Sequence, residues 1–132
     1  MDLIVTFPGN MKVDAEYKGF SIKTDQPQYS GGDGSAPAPF DLFLASIGTC
    51  GGIYVVYFCT KRGLPVDGIR IVQRMEKDPE TKTIKRIILD IELPADFPEK
   101  YKDALIRAVD LCSVKRYIMN PPEFQINTVT AD

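Results

Sequence analysis

Apolar and polar residues alternate along the first part of the chain with the two-residue period of β-strands. Such runs span Met11–Tyr17 and Phe20–Thr24, with Lys18-Gly19 as the turn between them, and a short β-rich run, Leu3–Phe7, precedes them. The next segment, Gln26–Pro39, is rich in glycine and proline and therefore belongs to neither a helix nor a central strand. The pattern predicts a hairpin followed by a long loop.

The apolar spacing then changes to that of a long helix, predicted over Phe40–Arg62 with Gly63 as its C-cap. Asp41 lies in the first turn, where a negative charge suits the positive end of the helix dipole. No charged residue occurs between Leu42 and Cys59, so this helix is apolar on every side. A second backbone can approach it closely at its small residues, which are Ala45, Ser46, Gly48, Thr49, Gly51 and Gly52.

A helix that is apolar all round is either a membrane span or a helix buried on nearly every side. The small residues of this helix and the amphipathic strands around it favour the buried helix. A domain of this length rarely surrounds so long a helix alone. The pattern therefore predicts that a second subunit covers it.

The strand period returns after the long helix. Ile69–Val72 and Ile87–Leu93 form a second predicted hairpin, with Asp78-Pro79-Glu80-Thr81 as a turn between them. Asp96-Phe97-Pro98-Glu99 has the form of an acidic capping box and predicts the start of a second helix. The buried stripe of this helix is predicted to contain Tyr101, Leu105, Ala108 and Cys112.

Pro121-Pro122 ends the second helical region, and Phe124–Val129 is predicted to form a last strand. The order of elements is then β hairpin, helix, β hairpin, helix and β strand, which indicates an α+β fold. The chain has 132 residues, enough for one hydrophobic core and too few for two. We therefore expect a single domain over residues 1–132.

The charges of the chain argue against two classes of partner. Its 16 Lys and Arg are scattered among 18 Asp and Glu, for a net charge of −2, and form no basic stripe for phosphate groups. Neither nucleic acid nor a membrane surface is an expected partner. Met1–Val5 lacks the basic segment and long apolar run of a secretory signal, so we expect a cytoplasmic protein.

Three cysteines and no histidine make thiol chemistry the first candidate. Cys50 and Cys112 each lie within a helical pattern, and thiol redox reactions need no imidazole. Three cysteines are too few for a secreted disulfide framework, and without a CxxC pair or a histidine they do not have the spacing of metal ligands. Cys59 is expected to be a small buried hydrophobe.

The stretch Gly31–Cys50, GGDGSAPAPFDLFLASIGTC, resembles the OsmC/Ohr family of osmotically inducible and organic-hydroperoxide-resistance proteins. The family signature is a Gly-rich loop followed by a small-residue helix that reaches a cysteine. Its second motif, Cys-Pro-Val-His, is matched in weaker form by Cys112-Ser113-Val114-Lys115. The resemblance implies an OsmC-like fold and an intertwined homodimer, with two long central helices wrapped by antiparallel sheets.

The resemblance also implies an activity, the reduction of organic hydroperoxides with electrons from thiols. Cys50 would be the peroxidatic thiolate, Cys112 the resolving thiol, and Asp41 the acidic member of the site. An external dithiol would reduce the resulting disulfide, and no metal or organic cofactor would be needed. The substrate would enter an apolar pocket, with candidate lining residues Phe40, Phe43, Ile53, Tyr54 and Tyr57.

One feature departs from the family pattern. Peroxidases of the family place an arginine of the N-terminal hairpin against the reactive cysteine, whereas this chain has no arginine before Arg62. The lysines of that region, which are Lys12, Lys18 and Lys23, lack the fork of a guanidinium. Two alternatives to a peroxidase therefore stay open. One is a noncatalytic module that binds a small hydrophobic ligand at the dimer interface, and the other is a thiol enzyme that acts on another electrophile.

Overall fold

A computed structural model describes residues 1–131 of the chain. Strands and helices follow one another in the order β1 (Ile4–Gly9), β2 (Lys12–Tyr17), β3 (Phe20–Thr24), α1 (Pro39–Lys61), β4 (Arg70–Lys77), β5 (Ile84–Glu92), α2 (Lys102–Asp110) and α3 (Ser113–Met119). Short 3₁₀ turns lie at Gln28–Ser30 and Glu99–Tyr101. The residues group into two compact units, Met1–Ser46 and the part of the chain that begins at Ile47. The single domain over residues 1–132 stays a prediction.

The first unit contains a three-stranded antiparallel sheet in the order β1-β2-β3. Tyr17 pairs with Phe20 across the turn between β2 and β3. The two turn residues, Lys18 and Gly19, have φ angles of 51° and 80°, as the tight primed turns of hairpins require. The predicted hairpin is confirmed, and its turn chemistry sets the register of the sheet.

The glycine-rich loop after β3 is organised by a buried carboxylate. Asp25 has no exposed surface, and its oxygens accept hydrogen bonds from the Ser35 hydroxyl at 2.6 Å, the Ser35 N–H at 3.0 Å and the Gln26 N–H at 2.7 Å. These bonds, that of the Ser35 hydroxyl first, lower the pKa of Asp25 to about 2. A Cβ at Gly32 would lie 2.0 Å from the Gln26 carbonyl oxygen, so only glycine fits there.

The second unit contains the hairpin β4–β5, paired from Arg70↔Glu92 to Lys77↔Ile84. One face carries cross-strand ion pairs, which join Arg70 to Glu92, Arg74 to Asp90 and Arg86 to Glu76. The other face packs on the core through Ile71, Leu89 and Ile91. The centre of that core consists of Val55, Phe58, Cys59, Phe97, Leu105 and Val109. The second predicted hairpin is confirmed.

The long helix is also confirmed, and Gly63 follows its end with a φ of 66°. It is not buried on nearly every side in the single chain. Its buried stripe consists of Ile47, Gly51, Val55, Phe58 and Cys59. The opposite face is exposed and carries Thr49, Ile53, Val56, Tyr57 and Thr60. By length and composition alone α1 is able to cross a membrane, but the core helix of a soluble domain meets the same criteria.

The second predicted helix differs from expectation at its start and its end. Within the described residues, neither the 3₁₀ turn that begins after Pro98 nor the helix α2 that begins after Tyr101 has a side-chain hydrogen bond at its N-cap. The predicted capping box therefore does not form. α2 ends at Asp110, and Cys112 lies outside the helix with φ −48° and ψ 131°. Helical spacing of apolar residues continues through this break, which is why periodicity alone predicted one helix.

The predicted last strand is wrong for the single chain. Phe124–Val129 lies within the described residues and adopts no regular secondary structure. Phe124, Ile126 and Val129 are 86%, 93% and 90% exposed. A strand needs a neighbouring edge for its backbone hydrogen bonds, and an alternating sequence does not supply that edge.

Candidate functional site

The thiols of Cys50 and Cys112 share a hydrogen bond, although the two residues are distant in sequence. Cys50 is half-buried in the middle of α1, and Cys112 is buried at the junction of α2 and α3. Both are free thiols, as is Cys59. The break after α2 turns Cys112 inward while its neighbour Leu111 is 60% exposed. The helix break therefore builds this thiol pair.

The surroundings of Cys50 stabilise its thiolate. Burial is the largest single influence and raises the pKa of Cys50, because it removes water from the charged sulfur. Hydrogen bonds from the Cys112 thiol and from the backbone N–H groups of Val114 and Ser113, together with the positive charge of Arg116, outweigh burial. The pKa of Cys50 is therefore below its ordinary value, as is typical of reactive cysteines.

Cys112 has the opposite tendency. Burial and the hydrogen bond to Cys50 raise its pKa, and the backbone N–H groups of Lys115 and Val114 only partly oppose this. The pKa of Cys50 is thus lowered and that of Cys112 raised, so Cys50 is the thiol of the pair that ionises first and Cys112 the one that keeps its proton. This polarity gives the two sulfurs different chemistry, a nucleophile at Cys50 and a thiol donor at Cys112.

Close packing around Gly51 brings α1 against the rest of the second unit. A Cβ on Gly51 would lie 3.2 Å from Leu89 Cδ2 and 3.3 Å from Val109 Cγ1, closer than ordinary contact allows. The same addition at Gly48 would meet the Gln73 side-chain oxygen at 2.6 Å. The small residues beside Cys50 therefore let β5 and α2 approach α1, which sets the position of the thiol.

A chain of polar side chains lies beside the thiol pair. Tyr54 follows Cys50 by one helical turn. Its hydroxyl lies 3.3 Å from the Ser113 hydroxyl, which is within hydrogen-bond distance. Arg116 Nη2 donates to the same Ser113 hydroxyl at 3.3 Å. Sequence reasoning did not single out Tyr54, Ser113 or Arg116 as polar groups of the site. The signal available was the position of Arg116 directly after the Cys112-Ser113-Val114-Lys115 motif.

An apolar cavity of about 850 Å³ has Cys112 in its wall. Its lining is mainly aliphatic and includes Ile47, Ile87, Leu89, Leu105, Val109 and Ile118. Charged side chains at the cavity are Asp90, Lys102, Asp110 and Lys115. The five expected aromatic and aliphatic lining residues of α1 are not among its walls. Four of them, Phe40, Phe43, Ile53 and Tyr57, are exposed, and Tyr54 is half-buried.

Asp41 has a clear local role in the first unit. Its carboxylate accepts a hydrogen bond from the backbone N–H of Ala38 at 2.9 Å, the residue that precedes α1. This is the half of a capping box in which an acidic side chain reaches back to the start of its helix. A part for Asp41 in thiol chemistry stays a prediction.

The lysines considered as activating cations have other partners in the first unit. Lys12 forms an ion pair with Asp33, and the Lys23 ammonium nitrogen lies 3.8 Å from an Asp14 carboxylate oxygen. The Lys18 ammonium lies 5.2 Å from the centre of the Tyr17 ring.

Cys59 has no exposed surface, and burial raises its pKa, so it stays a protonated thiol within the core.

The fold is α+β, and its long helix carries a thiol that pairs with a second thiol at a helix junction. The chain belongs to the OsmC-like protein family, whose model matches residues 32–127. That match includes the Gly-rich loop from Gly32 onward, both cysteines of the pair and Arg116. The comparison with curated protein sequences found no match.

Solved structures support the fold. A proposed osmotic stress induced and detoxification response protein from Psychrobacter arcticus has a TM-score of 0.72 at 18% identity, over 86% of this chain and 85% of that one. An OsmC-like protein from Mycoplasma pneumoniae has a TM-score of 0.70 at 13% identity, and the match covers 91% of this chain and 87% of that one. An organic hydroperoxide resistance protein OsmC from Legionella pneumophila has a TM-score of 0.54 at 16% identity, and the match covers 89% of each chain. At these identities the likeness establishes the OsmC-like fold.

Proposed function

We propose that this protein reduces organic hydroperoxides with thiol electrons, using Cys50 as the peroxidatic cysteine and Cys112 as the resolving one. The observation that carries the proposal is the hydrogen bond between the two thiols, which lowers the pKa of Cys50 and raises that of Cys112. Family membership adds support, because an OsmC-like neighbour is described as an organic hydroperoxide resistance protein.

In the first step the Cys50 thiolate attacks the terminal oxygen of the hydroperoxide. The O–O bond breaks, and its electron pair leaves with the organic oxygen, which takes up a proton and departs as the alcohol. Cys50 becomes a sulfenic acid. The proton held by Cys112 lies one hydrogen bond from the reacting sulfur, close to where the leaving oxygen needs it.

In the second step the Cys112 sulfur, having lost its proton, attacks the sulfur of the sulfenic acid. Water leaves and a Cys50–Cys112 disulfide forms. An external dithiol then supplies two electrons and two protons, which restores both thiols and closes the cycle. The balance is one hydroperoxide and one dithiol consumed for one alcohol, one water and one external disulfide. A reducing compartment favours this cycle, so we place the protein in the cytoplasm.

The aliphatic cavity beside Cys112 suits the organic part of such a substrate. Its volume of about 850 Å³ and its Ile, Leu and Val walls accommodate an alkyl chain without unpaired polar groups. A charged or strongly hydrated peroxide gains little from these walls. The proposal therefore favours alkyl hydroperoxides over hydrogen peroxide.

We also propose a homodimer, because the exposed face of α1 is apolar. Ile53, Val56 and Tyr57 are 40%, 39% and 56% exposed along one side of a helix with no charged residue in its middle. A second copy of the chain that packs α1 against α1 removes this surface from water. In such a dimer Asp41 is proposed as the acidic member of the peroxidase site.

The cavity supports a second candidate function, a noncatalytic module that binds a small hydrophobic ligand. Its volume and aliphatic walls are those of a ligand site whether or not Cys50 reacts. Under this alternative the thiol pair is a buried polar contact, and ligand affinity does not depend on Cys50. The two functions differ in what happens when peroxide meets the reduced protein.

The deciding experiment is intact-mass analysis of the fully reduced protein after brief exposure to stoichiometric cumene hydroperoxide, followed by peptide mapping. The peroxidase is expected to lose two hydrogens and to yield a Cys50–Cys112 link within the dead time of manual mixing. Cys50→Ser is the test variant, and Cys59→Ser is the matched control that keeps the reactive pair. An unchanged mass in the wild-type protein would favour the ligand-binding module.

A further inference from the structure

The proposed peroxidase, on which this inference rests, needs a positive charge near Cys50. A cation stabilises the thiolate and the negative charge that develops on the leaving oxygen. The N-terminal hairpin contains no arginine, and Lys12 and Lys23 face carboxylates there. The cation must therefore come from another element if the thiolate is to be supported by charge.

The short helix α3 contains such a cation. Arg116 is tied to the thiol pair through its backbone, because its N–H donates to the Cys112 carbonyl oxygen at 3.0 Å. Its guanidinium is tied a second time, because Nη2 donates to the Ser113 hydroxyl at 3.3 Å. Ser113 in turn lies 3.3 Å from the Tyr54 hydroxyl, one turn from Cys50 on α1. These contacts link the guanidinium through the Ser113 hydroxyl to Tyr54, one helical turn from Cys50.

No ion pair offsets the charge of Arg116 within the described residues. Its neighbour Lys115 forms an ion pair with Asp110, which neutralises much of that lysine's charge. Among residues 1–131, no ion pair joins Arg116 to a carboxylate. A guanidinium stays charged at every accessible pH and presents several donors, so it can hold Ser113 and retain its full charge.

We propose that Arg116 is the positioning residue that supports the Cys50 thiolate, in place of an arginine from the N-terminal hairpin. It acts in two ways. Its charge favours the negative sulfur, and its hydrogen bond to the Ser113 hydroxyl keeps the first turn of α3 oriented so that the Ser113 and Val114 N–H groups point at Cys50. The motif that ends in Cys112-Ser113-Val114-Lys115-Arg116 then carries both the resolving thiol and the activating cation.

The test measures the pH dependence of Cys50 alkylation by iodoacetamide, a reaction that requires no peroxide. Chymotryptic cleavage after Leu44 and Tyr54 isolates Cys50 from Cys59 and Cys112, so mass spectrometry follows Cys50 alone. Other titratable or charged groups near the pair are Tyr54 on α1, Asp90 on β5, Lys102 and Asp110 on α2, and Lys115 on α3. These groups are unchanged in the variants below.

Arg116→Gln is expected to alkylate at Cys50 about two- to fivefold more slowly than wild type at pH 7, with the same limiting rate at high pH. Arg116→Lys keeps the charge and is expected to recover most of the rate. Arg107→Gln, which removes an exposed guanidinium from α2, is the matched control and is expected to leave the profile unchanged. Near-ultraviolet circular dichroism checks that the variants are folded.

Two results would overturn the inference. One is an alkylation profile of Arg116→Gln that superimposes on wild type, and the other is an equal loss in Arg107→Gln, which would indicate a general surface-charge effect. If Arg116→Gln fails to fold, a slow Arg116→Lys profile equally contradicts a role for the charge. Failure of the peroxide experiment alone rejects the peroxidase, whereas an unaltered alkylation profile rejects Arg116 as the supporting cation.

Discussion

The Cys112 thiol donates a hydrogen bond to the Cys50 sulfur, and the two sulfurs are thereby made unequal. Cys50 becomes the more acidic thiol because it receives this bond and those of two backbone N–H groups. Cys112 becomes the less acidic one because it is buried and because its proton is used in the bond. The arrangement assigns the nucleophile to the helix and the proton donor to the helix junction.

Replacing Cys112 with alanine removes one of the donors that stabilise the Cys50 thiolate. The pKa of Cys50 is expected to rise, so alkylation at pH 7 slows, by up to about tenfold if the thiol contributes as much as a charge-assisted hydrogen bond. After peroxide treatment the same variant is expected to accumulate Cys50 sulfenic acid, which dimedone traps. Cys59→Ala serves as the control, and a disulfide-forming Cys112→Ala protein would contradict the assignment of the resolving thiol.

Asp25 predicts an acid-sensitive contribution to stability. Its pKa in the folded protein, about 2, lies below the ordinary value of 3.8, so the folded state prefers the ionised form. The stability contributed by ionised Asp25 is fully present above the unfolded value and is lost as the pH falls towards 2. The free energy of unfolding of wild type relative to Asp25→Asn should therefore be constant above about pH 5 and should decrease below it.

Urea unfolding of the two proteins at a series of pH values measures this difference. Ser35→Ala, which removes the hydroxyl donor to Asp25, is expected to show a shallower decrease because less of the pKa shift remains. A difference between wild type and Asp25→Asn that grows as the pH falls would have the wrong sign for a depressed carboxyl pKa.

Gly51→Ala is expected to destabilise the protein by about 1–3 kcal/mol, because the new methyl group is forced against Leu89 and Val109. Gly48→Ala is the matched comparison on the same helix. Its methyl group meets only the end of the Gln73 side chain, and alanine is the better helix former, so its net effect is expected within about 1 kcal/mol. Chemical denaturation at equal protein concentration measures both, and equal losses would contradict the close approach at Gly51.

Asp41→Ala is expected to lower the free energy of unfolding by about 0.5–2 kcal/mol, because the Ala38 N–H loses its acceptor at the start of α1. Asp41→Asn keeps an acceptor oxygen and is expected to recover much of this loss. If Asp41 also serves the peroxidase site, the asparagine variant retains stability while its rate of Cys50 oxidation falls. Stability and oxidation rate that fall together in both variants would mean that Asp41 acts only through the helix.

A homodimer that covers the exposed face of α1 predicts a specific response to charge. Val56→Glu places a carboxylate in the centre of that face and is expected to convert the dimer to monomer, because burying an unpaired charge is costly. Multi-angle light scattering measures the mass in solution. Thr81→Glu, in the exposed turn between β4 and β5, is the control and should remain dimeric, and a monomeric wild-type protein would reject the proposed interface.

Local chemistry made much of the fold predictable from sequence. The hairpin turn at Lys18-Gly19 and the helix end at Gly63 depend on backbone preferences of a few adjacent residues. The uncharged run within α1 predicts a helix whose apolar surface has to pack against other apolar residues. The Gly-rich loop and the helix that reaches Cys50 identified the family, because both parts of that motif are continuous in the chain.

Tertiary structure decided the features that depend on residues far apart in sequence. The break between α2 and α3 leaves the apolar period intact, and only packing against α1 shows that Cys112 turns inward to meet Cys50. Arg116 became a candidate only because its partner Ser113 lies within hydrogen-bond reach of Tyr54 on α1. Phe124–Val129 alternates as a strand does, but a strand also requires a neighbouring edge, and an edge is a property of the fold rather than of the segment.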